Sequence, residues 1–146
     1  MAKRKPRVVA LAVIRRPGTN EILVSNSRDE VADMGFQRPF GGGVDFGERG
    51  EEALRRELRE ELGVALGTVR LTGVVENLFV FEGSPGHEIL LLYDSEFADS
   101  SLYARDVFTG IEARPKIGVW RDLDNSEDDV PLYPPGLADH FRAEGP

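Results

Sequence analysis

Apolar runs separated by turn residues dominate the first third of the chain and predict strands. Val8–Ile14 is apolar and largely β-branched without polar alternation, which predicts a strand buried on both faces. Pro17–Asn20 is a turn cluster, and Glu21–Ser25 is predicted to be the returning strand. The polar, mixed segment Arg28–Gln37 predicts a loop. The three glycines of Gly41–Gly43 are expected to weaken any regular element.

The segment Glu48–Leu62 has the clearest helical pattern, since it is rich in Glu, Leu, Ala and Arg. Gly63 follows it, where a helix is expected to end. The later elements are predicted as two strands joined by a turn, an irregular segment, a short strand and a last helix. In chain order they are Thr68–Phe81, the turn Glu82–Gly86, His87–Phe97, Ser100–Pro115, Ile117–Trp120 and the helix from Pro134-Pro135 through Phe141. His140 in that helix is expected to be structural. The order predicts one domain, residues 1–146, with α/β/α layers.

A helical wheel at about 100° per residue separates leucines from acids on the central helix. Its predicted core stripe consists of Leu54, Leu58 and Leu62. The neighbouring sector holds Glu57, Glu60 and Glu61. Three carboxylates within about one turn repel one another, and Glu61 beside the core is costly to bury without a partner. A shared cation would relieve both problems, and ligands that are all oxygen favour Mg²⁺ or Mn²⁺.

A simpler interpretation of these glutamates is a solvated acidic face, in which Arg56 pairs with Glu60 four residues later. The glycines before the helix favour the metal interpretation. Gly41–Gly43 and Gly47 allow the backbone to approach phosphate oxygens closely. Their alternative is a tight turn from strand to helix. A glycine loop followed by a metal-binding helix suits a diphosphate group.

The charge and composition narrow the classes of partner. The chain has 26 acidic and 18 basic residues and a formal net charge of -8, so a nucleic acid polymer is not expected as a partner. A small anionic substrate stays compatible with this charge, because a bound cation reverses the local field. The 40% hydrophobic and 30% charged residues are typical of a globular protein. The chain has no cysteine, which excludes disulfides, thiolate metal sites and cysteine nucleophiles.

No segment of the sequence has the pattern of a membrane or export signal. Met1–Arg7 is basic, but the apolar stretch Val8–Ile14 after it is only as long as a strand. No stretch approaches the roughly 20 apolar residues of a membrane span. We therefore expect a cytoplasmic location and no membrane partner.

The segment that starts at Gly42 resembles the Nudix box, whose pattern is G-x5-E-x7-R-E-U-x-E-E-x-G-U, where U is a bulky aliphatic residue. Glu48 follows Gly42 after five residues, and Arg56-Glu57-Leu58 follows after seven more. Arg59 is the spacer before Glu60-Glu61-Leu62-Gly63-Val64. Every specified position is met. Outside the box, the resemblance is an order of elements and no specific motif.

The resemblance implies a Nudix-type α/β/α sandwich with a mixed β-sheet. It also implies a metal-dependent hydrolase that cleaves the phosphoanhydride bond of a nucleoside diphosphate linked to another group. Such substrates include nucleotide sugars, ADP-ribose, dinucleoside polyphosphates and nucleoside triphosphates. The alternative is a non-catalytic nucleotide sensor or partner-binding domain of the same fold, but such proteins commonly lose the box carboxylates. An isoprenoid diphosphate isomerase would need a catalytic cysteine and is set aside.

The resemblance also implies roles for the box residues. The ligands of Mg²⁺ or Mn²⁺ are expected to be Glu57, Glu60, Glu61 and the carbonyl of Gly41. Arg56 and Glu48 are expected to orient this acidic cluster, and water is the expected nucleophile. In some members the first glutamate of the triplet, here Glu57, takes the proton, whereas in others a glutamate on a separate loop does so.

Residues that contact the substrate are expected opposite the box helix and in the glycine loop. The candidates are Arg28, Arg38, Gly42, Gly43, Glu76, Asn77, His87, Glu88 and Glu112. Five of them have a simpler alternative: surface ion pairs for the two arginines, backbone hydrogen bonds for Asn77 and His87, and a solvated loop for Glu112. The expected partner is a small-molecule nucleotide, its base and leaving group stay open, and so does a homodimer.

Overall fold

The computed structural model describes residues 3–125 and 130–139 of the chain. In these residues it has the following elements: β1 (Arg7–Ile14), β2 (Glu21–Asp29), β3 (Met34–Arg38), β4 (Phe40–Gly43), α1 (Gly50–Leu62), β5 (Leu66–Phe81), β6 (Ser84–Phe97), a 3₁₀-helix (Ser100–Ala104), β7 (Val107–Thr109) and β8 (Ile117–Asp122). Among the described helices, none is both long enough and apolar enough to span a membrane.

The strands form two four-stranded sheets. The first has the order β4-β1-β6-β5 and is mixed, because β1 runs parallel to β6 and antiparallel to β4. The second has the order β3-β2-β8-β7 and is antiparallel. The predicted α/β class with a mixed sheet is thus confirmed. However, β2 does not return alongside β1 as a sheet neighbour, since the two belong to different sheets and are linked only by an isolated bridge between Arg15, just after β1, and Ile22.

The first sheet is covered on both faces, because alternate residues of β1 enter different cores. One core combines Ala10, Ala12 and Ile14 with Leu54 and Leu58 of α1. The other combines Val9, Leu11 and Val13 with Ile22 and Val24 of β2 and with Leu137, in the helical turn of residues 137–139. The prediction that Val8–Ile14 is buried on both faces is confirmed from Val9 onward, whereas Val8 is 41% exposed.

Two segments predicted to be irregular are strands. Within Arg28–Gln37, β2 continues to Asp29 and β3 begins at Met34, because the two strands pair in antiparallel register around a short turn. Gly41–Gly43 belongs to β4, which pairs with β1. The absence of side chains is what allows this pairing, since a Cβ on Gly41 would collide with the backbone of Ala10.

The central helix ends as predicted but starts later. Gly63 has φ 68° and lies in the left-handed conformation that ends α1. The helix begins at Gly50 and not at Glu48. The backbone N–H of Arg49 donates to Oε1 of Glu52 at 3.1 Å, which caps the first turn, and Glu48 stays in the preceding loop.

Other boundaries also differ from the predictions. The β5–β6 turn is only Glu82-Gly83, both with positive φ, as two-residue hairpins require. The segment Ser100–Pro115 is not wholly irregular, since it contains the 3₁₀-helix and β7. Pro134-Pro135 precedes the last helical turn and does not open it. Beyond residue 139, the predicted helix end at Phe141 and the role of His140 lie outside the described residues.

Candidate active site

The three glutamates of α1 differ in exposure, although they share one sector of the helix. Side-chain exposure is 18% for Glu57, 54% for Glu60 and 7% for Glu61. The spacing of the residues explains the order, because Glu61 borders the buried leucine stripe and Glu60 lies on its solvent side. The sequence therefore places one carboxylate in the interior, where it needs a counter-charge.

The Glu61 carboxylate is only half satisfied. Its Oε1 accepts a hydrogen bond from Nζ of Lys116 at 3.0 Å, while its buried Oε2 has no hydrogen-bond partner among the described residues. Burial raises the pKa of Glu61, Lys116 opposes this shift, and the negative charges of Glu57 and Glu112 add to it. A buried oxygen without a donor is costly, and a cation would satisfy it.

Arg56 holds the loop before α1 against the helix. Its Nε and Nη2 donate to the two oxygens of Glu48 at 2.8 and 2.9 Å, and Nη2 also donates to the carbonyl of Gly43 at 3.1 Å. The fork of Arg56 and the backbone N–H of Asp45 hold the pKa of Glu48 at about 2. Glu48 is thus a fixed anion, and it holds the Arg56 guanidinium in place.

The same guanidinium reaches two of the three acids. Nη1 of Arg56 donates to Oε1 of Glu57 at 3.0 Å and to Oε2 of Glu60 at 3.3 Å. The solvated-face interpretation is thus visible, since Arg56 pairs with Glu60 at i+4. Glu61 takes its counter-charge from Lys116, and the metal interpretation stays a prediction. Over the described ranges, no three acidic or histidine side chains are already gathered at metal-binding spacing.

The glycines of β4 bring the backbone close to the acidic face of α1. A Cβ on Gly42 would strike the carboxylate of Glu57, and a Cβ on Gly43 would lie 2.8 Å from Nη2 of Arg7. The strand is thus a bare peptide edge facing Glu57. This edge and the helix enclose a cavity of about 280 Å³, here called the box cavity. Its lining includes Gly41, Gly42, Gly43, Glu57, Glu61, Lys116, Arg7, Arg38 and Glu88.

The box cavity fits a divalent cation. The Oε2 of Glu61 is a buried oxygen that a cation would satisfy, and Glu57 adds a second carboxylate to the lining. All oxygen donors here are hard, which suits Mg²⁺ or Mn²⁺. Glu60 is not among the lining residues and would have to turn from Arg56 to join them.

A second cavity of about 490 Å³ adjoins the first, here called the apolar cleft. It lies between β3 and the β5–β6 hairpin. Its apolar lining includes Met34, Phe36, Leu78, Phe79, Phe81 and Tyr133. The ring of Phe36 makes edge contacts with Phe81 at 5.9 Å and with Tyr133 at 5.6 Å between centroids. A volume of this size with aromatic walls is typical of a small-molecule site.

The predicted substrate residues divide into two groups. Arg38, Gly42, Gly43, Asn77 and Glu88 line one or both cavities. The other four do not line them: Arg28, Glu76, His87 and Glu112. Arg28 instead pairs with Glu30 and Asp33 at the surface, which was its simpler alternative.

Sequence reasoning missed several lining residues, including two cations and a tyrosine. Arg7 and Lys116 line the box cavity, and Tyr133 lines the apolar cleft. Each is far from the box in sequence and is brought near it by a strand or a loop. Lys116 stands just before β8, and the backbone N–H of Ile111 in the same loop donates to the carbonyl of Glu61 at 3.0 Å.

Comparison with known protein families identifies the family of this chain. The family model of the NUDIX domain matches residues 5–126. The chain belongs to the Nudix family. The match covers both sheets, the glycine strand and α1, so the resemblance drawn from the box extends over most of the chain.

Several Nudix relatives are similar to this chain. A nucleoside triphosphatase NudI of Escherichia coli is 66% identical over 68 residues, 47% of this chain and 48% of the relative. The chain thus matches about half the length of this curated relative. The crystal structure of a MutT NUDIX hydrolase from Burkholderia pseudomallei has TM-score 0.64 and 27% identity, covering 87% of this chain and 91% of that one. The solution structure of the E. coli ORF135 protein has TM-score 0.58 and 26% identity, covering 95% and 90%. These likenesses support the prediction of a Nudix hydrolase.

Proposed function

We propose that the protein is a divalent-metal-dependent hydrolase that cleaves a phosphoanhydride bond of nucleoside triphosphates. The buried, unpartnered Oε2 of Glu61 in the box cavity carries the proposal, because it marks a place for a cation beside bare glycine backbone. Among the predicted substrates, the triphosphates are favoured by the similarity to proteins named nucleoside triphosphatase. Nucleotide sugars, ADP-ribose and dinucleoside polyphosphates are the competing substrates.

The proposed metal ligands are the carboxylates of Glu57 and Glu61 and the carbonyl of Gly41. Glu60 joins them once its exposed side chain turns from Arg56. When bound, a divalent ion neutralises charge on the phosphates and lowers the pKa of water. Arg56 and Glu48 act as positioning residues, since their paired hydrogen bonds fix the loop that carries the glycines.

The reaction proposed for the site is attack by water on phosphorus. The new P–O bond forms as the bridging P–O bond breaks, and the electron pair of that bond leaves with the departing phosphate. Glu57 takes the proton from water, since it lines the box cavity and borders Gly42. Glu88 lines the same cavity and is the alternative base. Glu112 lies outside that lining and is the weaker alternative.

A hydrolysis screen tests the proposal. Nucleoside triphosphates and the three competing substrates are incubated with Mg²⁺, with Mn²⁺ and with a chelator, and products are separated chromatographically. We expect triphosphate cleavage that stops with the chelator and returns on adding metal. Full turnover in metal-free buffer would contradict the metal role. Tight nucleotide binding with no product under any condition would instead indicate the non-catalytic sensor.

A further inference from the structure

The box cavity and the apolar cleft share one wall. Three charged residues line both: Arg7, Arg38 and Glu88. The box residues lie only on one side of this wall, and the aromatic residues lie only on the other. A ligand that occupied both cavities would therefore pass these three side chains at its middle.

Glu88 is the buried member of this wall. It stands on β6 between two cross-strand neighbours, Arg7 on β1 and Asn77 on β5. Its side chain is 7% exposed, and its buried Oε1 accepts no hydrogen bond within the part of the chain that the structure describes. Nη2 of Arg38 lies 3.6 Å from that oxygen, and Nη1 of Arg7 lies 4.0 Å from Oε2. The two arginines compensate its charge, but Oε1 still lacks a hydrogen-bond donor.

The aromatic wall of the cleft is built to accept a planar group. Phe79 on β5 lies opposite Gly86 on β6, and a Cβ on Gly86 would collide with its ring. The far end of the ring therefore lies against the backbone of β6 at Gly86. Phe36 of β3 also lines the cleft and makes edge contacts with Phe81 and Tyr133. An aromatic lining of this kind suits a heteroaromatic base.

We propose that Glu88 accepts a hydrogen bond from a sugar hydroxyl of the bound nucleotide and so determines specificity for the sugar. The inference rests on the proposed function. A nucleotide has the order phosphate, sugar, base, which matches the box cavity, the shared wall and the apolar cleft. A carboxylate at the middle repels phosphate but suits a hydroxyl, which donates the missing hydrogen bond to Oε1. Arg7 and Arg38 beside it carry the charge that a neighbouring phosphate needs.

The experiment is a cycle that combines a protein change with a substrate change. Dissociation constants are measured by calorimetry with Mg²⁺ and non-hydrolysable triphosphate analogues, so that the proposed cation is present and turnover does not interfere. The ligand is whichever of the four ribonucleoside triphosphate analogues binds most tightly, together with its 2′-deoxy and 3′-deoxy forms. In the wild-type protein, removal of one hydroxyl is expected to weaken binding by about 10- to 100-fold, as for a hydrogen bond to a charged group. The two deoxy forms show which hydroxyl is bound.

In Glu88→Ala, removal of the same hydroxyl should hardly change the dissociation constant, so the ratio between the deoxy and parent ligands should fall to about onefold. Glu88→Gln keeps the shape and one acceptor oxygen without the charge, so its penalty should lie between the two. Glu96→Ala is the matched control, because Glu96 is exposed on the same strand and lines neither cavity. It should retain the full wild-type penalty.

Two outcomes would overturn the inference. One is an equal penalty in wild type and in both Glu88 variants, which would place the hydroxyl elsewhere. The other is a wild type that binds the parent and both deoxy forms equally. If Glu88→Ala does not fold, Glu88→Gln decides alone, since an undiminished penalty in it overturns the proposal. Hydrolysis with Mg²⁺ is assayed separately, so that failure of the proposed function is distinguished from failure of this role.

Discussion

Glu61 and Glu57 sit in the same cavity but differ in what they are free to do. Glu61 is buried and accepts a hydrogen bond from Lys116, so its carboxylate is held inside the protein. Glu57 is more exposed, has one oxygen on Arg56, and lies against Gly42. A proton acceptor has to reach water, whereas a pure ligand does not. This difference is why Glu57 is proposed as both ligand and base.

Substitution of Glu57 by glutamine separates these roles. We expect Glu57→Gln to lower kcat by roughly 10²- to 10⁴-fold, typical of a lost base, and to raise the Mg²⁺ concentration needed for half-activation. Both quantities are measured by steady-state kinetics over a metal titration. Glu88→Gln and Glu112→Gln are measured alongside. Near-normal turnover in Glu57→Gln with a collapse of kcat at saturating metal in either of the others would move the base to that residue.

The residues that could be predicted are those whose geometry is fixed by helical spacing. The helical wheel predicted that Glu61 borders the core, and the 6% exposure of the whole residue confirms this. Lys116 and Arg7 could not be predicted, because their approach depends on how a distant loop and β1 pack. By contrast, the i, i+4 spacing of Arg56 and Glu60 did predict their pair.

At the level of elements, two strands form by pairing with a neighbour, although their local sequence does not predict a strand. Three glycines in a row predict no strand, yet β4 forms because β1 offers a partner that only a bare backbone can approach. β3 likewise forms by pairing with β2. The helix was predictable because its pattern is local, although its first turn was set by a cap at Arg49.

One carboxylate joins the two hairpins at the mouth of the apolar cleft. Oδ1 of Asp29 accepts from the N–H groups of Val31 and Ala32, and Oδ2 accepts from the N–H of Glu82 at 3.0 Å. These hydrogen bonds lower the pKa of Asp29, and the bonds from Ala32 and Glu82 have the largest effect. They link the β2–β3 turn in one sheet to the β5–β6 turn in the other.

Asp29→Asn is therefore expected to lower the thermal midpoint at neutral pH. The folded pKa of Asp29 is below its unfolded value, so its stabilisation is present above the unfolded pKa and is lost as pH falls through the folded pKa. The difference in midpoint between wild type and variant should thus shrink below about pH 4. Calorimetric scans over a pH series measure it. A difference that is constant from neutral pH to pH 2 would show that the carboxylate charge is not what matters.

At the scale of the whole molecule, the site lies where separate parts of the fold meet. The first sheet supplies β4 and β6, the helix supplies the acids, and the loop before β8 supplies Lys116. Binding at such a junction stabilises the folded state as a whole, because the unfolded chain does not gather these groups. The single domain over residues 1–146 stays a prediction. The association of two copies stays an open question of the sequence analysis.

Mg²⁺ should therefore raise the melting temperature of the protein. At 100 times its dissociation constant, a ligand adds about 2.7 kcal/mol, which for a chain of this size is about 5–10 °C. Glu61→Gln should lose most of that increment, because the neutral amide no longer offers Mg²⁺ the negative charge of the buried carboxylate, whose Oε2 has no hydrogen-bond partner among the described residues. Glu51→Gln, an exposed acid on the same helix, should keep it. Comparing each protein with and without Mg²⁺ by calorimetry cancels the effect of the substitution on the metal-free state, including the loss of the pair with Lys116. An increment in Glu61→Gln as large as in wild type would mean that Mg²⁺ binds without Glu61.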